Sequence, residues 1–170
     1  MLTRRCFGRS LLAGSGAFLP TLAGLTGCGQ REPAPGVAYT LLDGRAGHTA
    51  AHRGQVMLVN FWATSCVACV REMPSFVATW RKYQPRGFEV LAVAMSYDPP
   101  AQVAHFAETR ALPFGVVIDN TGAIAHAFGD VSVTPTIFVI DRRGHIAKRY
   151  VGAPDVAELH RHVEGLLAEA

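Results

Sequence analysis

Two stretches of this chain, QVMLVNFW (residues 55–62) and FEVLAVAM (residues 88–95), are apolar at almost every position. A strand with one wet face alternates, whereas an unbroken run of this length suits a strand covered on both faces, with helices on either side of a sheet. The rest of the sequence supplies such helices. From residue 69 to about residue 83, Met73, Phe76, Val77 and Trp80 recur at helical spacing. PPAQVAHFAETRAL (99–112) reads as a second helix with proline near its start, and GAIAHAFG (122–129) as a short one stopped by Gly129. VAYTLL (37–42) is a short strand ending at the turn DGRAG, and FGVVID (114–119) is another strand. TIFVI and HIAKRYVG flank DRRG as a hairpin, and PDVAELHRHVEGLLAEA closes the chain as a helix begun by Pro154 and Asp155. This alternation predicts an α/β sandwich around a mixed sheet.

The first 27 residues read as a targeting segment. A basic start, MLTRRCFGR, precedes an apolar stretch over residues 11–25 that Gly14, Gly16, Pro20 and Gly24 interrupt too often for a membrane-spanning helix. TRRCFGR resembles a twin-arginine export signal, with an ordinary Sec signal as the alternative. LTGC (25–28) resembles a bacterial lipobox, so Cys28 is read as the lipidated first residue of the mature chain; a chance cysteine is the alternative. Gly29 after it leans towards the outer membrane of a two-membrane cell. The polar CGQREPAPG (28–36) reads as a flexible tether to a domain over residues 37–170. Removing Arg4, Arg5 and Arg9 from the 16 basic residues leaves them equal in number to the 13 acidic ones. A neutral domain has no electrostatic footprint for nucleic acid, and that class is rejected.

Of four cysteines, Cys6 leaves with the signal and Cys28 takes lipid, so Cys66 and Cys69 remain as a Cys-X-X-Cys pair. Zinc would need further ligands, but His48, His52, His160 and His162 do not cluster beside the pair and read as surface residues. A bridge closing so short a loop is a poor staple, because stabilisation grows with loop length. A redox pair is the remaining reading, with an inert, permanently oxidised disulfide as its rival. At the start of a helix, Cys66 meets free N–H groups and a dipole that favour the thiolate, holding its pKa below the ordinary thiol value. Cys69, three residues on, lies on the same face and one turn deeper.

FWATSCVAC at a strand-to-helix turn, with VTPTIFVID before the hairpin, resembles the thioredoxin fold. More narrowly, LVNFWATSCVACVREMP together with IDRRGHI resembles the TlpA/ResA group of membrane-tethered thiol-disulfide oxidoreductases over roughly residues 37–170. The stretch between Cys66 and Pro135 is longer than in a plain thioredoxin, and the elements between residues 88 and 112 match the group's central insertion.

The resemblance implies several further assignments. The Thr134–Pro135 bond is cis and faces the cysteines, leaving a backbone edge where a substrate strand can pair with Thr134. Trp62 and Ser65, flanking the turn, join Thr134 and Pro135 in binding substrate. Glu72 matches a glutamate with a proton-handling role for Cys69; an ordinary early-helix acid is the alternative. Ser65 stands in place of the usual tryptophan, Val67 and Ala68 in place of proline-containing dipeptides, and Asn60 where plain thioredoxins bury an aspartate. No cofactor beyond a redox-active Cys66–Cys69 disulfide is implied, and no metal. The implied partners are protein disulfide substrates, in cytochrome c or copper-centre maturation, and a membrane electron donor of DsbD/CcdA type on the periplasmic side. The rival is a copper(I)-binding assembly factor, for which Met73 and Met95 are the candidate extra donors.

Overall fold

Seven consecutive residues of β3, Val56–Trp62, are completely or almost completely buried. In the computed structural model, which describes residues 31–169, β3 is the middle of a five-stranded sheet ordered β5-β4-β3-β6-β7. β4 (Phe88–Ala94) runs parallel to it on one side, and β5 (Gly115–Ile118) parallel to β4. β6 (Thr136–Ile140) is antiparallel on the other side, with β7 (Ile146–Val151) antiparallel beyond. The sheet is therefore mixed, as the alternating pattern predicts.

Alternation along β3 sorts its residues onto two cores. Val56, Leu58 and Trp62 join Cys69, Met73 and Phe76 of α1 (Val67–Tyr83), Val103 of α2 (Pro100–Thr109), and Leu159 and Val163 of α4 (Val156–Ala168). Met57, Val59 and Phe61 face the other way, where Phe61 meets Phe128 and Phe138 edge-on beside Ile124 of α3 (Ala123–Ala127). Each large side chain buried this way contributes about 1.5–3 kcal/mol.

Three expectations are corrected. The strand expected over 37–42 is shorter: β1 (Ala38–Thr40) pairs with β2 (Ala46–His48) in a two-stranded sheet of its own. Tyr39 lies opposite Gly47, and its ring occupies the space a Cβ would need there, so the pairing requires glycine. Second, the tether expected to run to residue 36 is bound to the domain from residue 31. Ile146 N–H donates to Glu32, Ala34 N–H to Gly144, and the Arg31 guanidinium to Asp141 and Glu169. Third, His160 is half-buried, bonded to the Thr79 hydroxyl at 3.0 Å and edge-on to Tyr83, because helical spacing turns it towards α1.

The signal segment expected over residues 1–27, with Cys6, and the lipid anchor expected on Cys28 lie outside the described residues. Among the described residues no helix is long and apolar enough to cross a membrane.

Candidate active site

β3 delivers the chain to one end of the sheet, and a tight turn follows it. Cys66 N–H donates to Ala63 at 3.1 Å, and Val70 N–H to Cys66 at 3.0 Å. With φ −86° and ψ 102°, Cys66 is the N-cap of α1, and its Sγ accepts from Cys69 N–H at 3.2 Å. A sulfur so placed occupies the position where helix N–H groups lack backbone partners. Cys66 and Cys69 are joined by a disulfide, with Cα atoms 5.2 Å apart. Their surroundings differ sharply: Cys66 is partly exposed, whereas Cys69 is fully buried under the sheet face.

The second half of the site comes from β6. Its antiparallel register sets Thr136 against Phe61, so the residues before β6 sit beside the end of β3. The Thr134–Pro135 bond is cis. Pro135 is buried and Thr134 half-buried, and Gly152 N–H donates to the Pro135 carbonyl at 2.8 Å. Among the described residues, the Thr134 N–H and C=O have no main-chain partner, which leaves that edge open. Ser65, Val67, Tyr97 and Val133 are exposed around the two loops, Val67 at 78%. The apolar side chains of Val67, Tyr97 and Val133 on this rim lower the cost of docking another chain.

Glu72 is half-buried on α1, and its Oε2 is buried without a hydrogen-bond partner. Burial raises its pKa, opposed by the nearby Arg71 charge. On β3, Asn60 is fully buried with both ends of its amide unpartnered. It lies between Leu58 and Trp62 in the alternation, hence on the face that also carries Cys69.

Trp62 requires a correction. Expected to contact substrate, it is fully buried and packs on Phe106 with ring centroids 5.0 Å apart. Its place in the β3 alternation turns the indole towards the helices, away from the surface. Met73 shares the core of Cys69, but Met95 belongs to the opposite one, so the sheet separates it from the cysteine pair. Among the described residues there is no group of three or more His, Cys, Asp or Glu side chains arranged to hold a metal ion.

Sequence reasoning missed two residues. Tyr97 and Asp98 follow β4 at the same end of the sheet. The Tyr97 hydroxyl lies 3.4 Å from the Thr134 hydroxyl, and the Asp98 carboxylate accepts from Thr64. The only signal was SYDPP, a polar break directly after a buried strand, and it does not name a partner.

A mixed sheet in this order, with a Cys-X-X-Cys pair capping the first core helix beside a cis-proline loop, defines a thiol-disulfide oxidoreductase of the thioredoxin superfamily. The chain belongs to the Redoxin family, whose model matches residues 30–163. It is 35% identical over 133 residues to the thiol-disulfide oxidoreductase ResA of Geobacillus thermodenitrificans, covering 78% of this chain and 75% of that one. The solution structure of a putative thioredoxin from Neisseria meningitidis superposes with a TM-score of 0.74 at 37% identity, over 81% of this chain and 91% of that one. A putative thiol:disulfide interchange protein DsbE from Chlorobium tepidum gives 0.75 at 27% identity, over 82% and 98%. The protein is thus a ResA-like thiol-disulfide oxidoreductase with a Cys-X-X-Cys pair.

Proposed function

We propose that this chain is an exported, lipid-anchored reductase of protein disulfides, acting in the maturation of cytochrome c or of copper centres. The observation that carries the reading is the asymmetry of the pair: Cys66 is the accessible cap of α1 and Cys69 is fully buried. In the reduced protein the Cys66 thiolate attacks one sulfur of a substrate disulfide and expels the other as a thiolate. Cys69, once deprotonated, attacks the Cys66 sulfur and releases the second substrate sulfur. The substrate gains two electrons and two protons, and Cys66–Cys69 becomes the disulfide. Glu72, with its raised pKa and buried oxygen, is the proposed acceptor of the Cys69 proton. Thr134 and Pro135 offer substrate a backbone edge beside the pair. A membrane donor of DsbD/CcdA type returns the pair to the dithiol, since an exported compartment is oxidising.

Replacing Cys69 with serine blocks resolution. In the native compartment, Cys69→Ser should accumulate proteins held on Cys66 by a disulfide, and their identity names the pathway. A reactive Cys66 that holds no protein would overturn the reading. Intact mass tests the anchor: lipid on Cys28 is expected, and a soluble product with unmodified Cys28 removes it from the proposal.

A further inference from the structure

Asp98 is a buried charge with a single polar client. Its side chain is 2% exposed, yet no Lys, Arg or His among the described residues pairs with it. One carboxylate oxygen accepts the Thr64 N–H at 2.6 Å and the other accepts the Thr64 hydroxyl. Keeping a carboxylate out of water without a cation is costly unless its bonds accomplish something.

Thr64 lies two residues before Cys66, inside the turn closed by the Cys66 N–H on Ala63. On the other strand, Asp98 N–H donates to Met95, and Met95 N–H donates to Trp62. The segment after β4 is thereby tied to the end of β3 and its following turn by three bonds, two from Thr64 to Asp98 and one from Met95 to Trp62.

We propose that Asp98 is a positioning residue for Cys66. By holding both donors of Thr64, it fixes the turn that makes Cys66 the cap of α1, with sulfur over the Cys69 N–H. Freed from that clamp, the sulfur would spend less time against the helix terminus, and the thiolate would lose stabilisation there. The proposal rests on Cys66 being the attacking thiol. It does not depend on the identity of the substrate or on an anchor.

The buried negative charge by itself acts in the opposite sense, because it disfavours a nearby thiolate. The direction of change therefore separates the two roles. The test measures alkylation of the reduced full-length protein against pH, with limiting iodoacetamide and the modified cysteine identified by mass. In Asp98→Ala the Cys66 profile should move to higher pH, with a rate at neutral pH lower by about three- to tenfold, the scale of helix-terminus effects. Thr64→Val keeps the charge and the Thr64 N–H bond but loses the hydroxyl, which lies against Asp98 and at 3.2 Å from Gln102, so it should shift the profile the same way by less. Thr64→Ser keeps both bonds and should restore it. If Asp98→Ala does not fold, Thr64→Val decides alone. An unmoved Cys66 profile in folded variants would make Asp98 merely structural, and a faster Cys66 would make it merely a charge; either overturns the proposal. Preferential labelling of Cys69 in the unaltered protein would instead overturn the assignment beneath it, and the clamp with it.

Discussion

Glu72 differs from an ordinary helix-surface glutamate in a way that titration can see. Burial raises its pKa above the usual 4.5, against the pull of Arg71. Between the unfolded and the raised folded value, the folded chain holds more protons, so this group makes stability fall as pH rises through that interval. Glu72→Gln should remove that fall, and urea midpoints of oxidised protein across the weakly acidic range would show it. The same substitution should slow release of a mixed disulfide by about tenfold or more if the carboxylate takes the Cys69 proton. An unaltered release rate would leave Glu72 as an early-helix acid. How much of this site could be read from sequence varies residue by residue. Cys66 and Cys69 were legible because a short local motif carries them, whereas the place of Pro135 was legible only through the family resemblance of the residues around it. Trp62 was misplaced because an unbroken apolar run does not reveal which face each residue takes. Asp98 was invisible because its partner is 34 residues away and the pairing exists only after β3 and β4 align.

At the scale of elements, the helices were legible by their period, and β3 and β4 by unbroken apolar runs that mark strands covered on both faces. α1 began earlier than expected, at Val67, because Cys66 itself supplies the cap. The β1–β2 pair was not legible, since AYT and AGH are too short for a period and depend on the fit of Tyr39 over Gly47. α4 shows how an end helix is fixed. Asp155 accepts from Glu158 N–H at 2.8 Å as its cap, and Leu159 and Val163 are buried against the sheet. Asp155→Ala should cost about 1 kcal/mol, the usual worth of a cap. Leu159→Ala should cost about 3 kcal/mol, from lost burial and the cavity left behind. Urea denaturation of the two variants should rank them in that order; equal losses would mean that α4 is held by its end and not by its face.

Over the whole molecule, one carboxylate ties the two ends of the described chain to the sheet. Asp141, 2% exposed, accepts from the N–H groups of Arg143 and His145 and from Arg31, which also grips Glu169 past the end of α4. Burial works against its charge, but these bonds outweigh it and hold its pKa below the usual 3.8. A depressed carboxyl stabilises the fold above its unfolded pKa, and that stability is lost as pH falls through the folded value. Asp141→Asn should therefore cost about 1–2 kcal/mol at neutral pH, since the Arg31 partner is a third exposed and screened by water, and progressively less below pH 3.8. A cost that does not shrink in acid would mean that shape rather than charge matters there. The same strap has a geometric consequence. Arg31 is bound beside the β6–β7 turn, at the opposite pole from Cys66, and the seven residues of β3 alone span about 20 Å between the poles. With lipid on Cys28, only three peptide steps separate the bilayer anchor from that bound point, a reach of about 10 Å. The redox pole would then look away from its own membrane, so a donor must extend a domain outward to meet it. A headgroup quencher should reach a probe at Arg143 and miss one at Ser65.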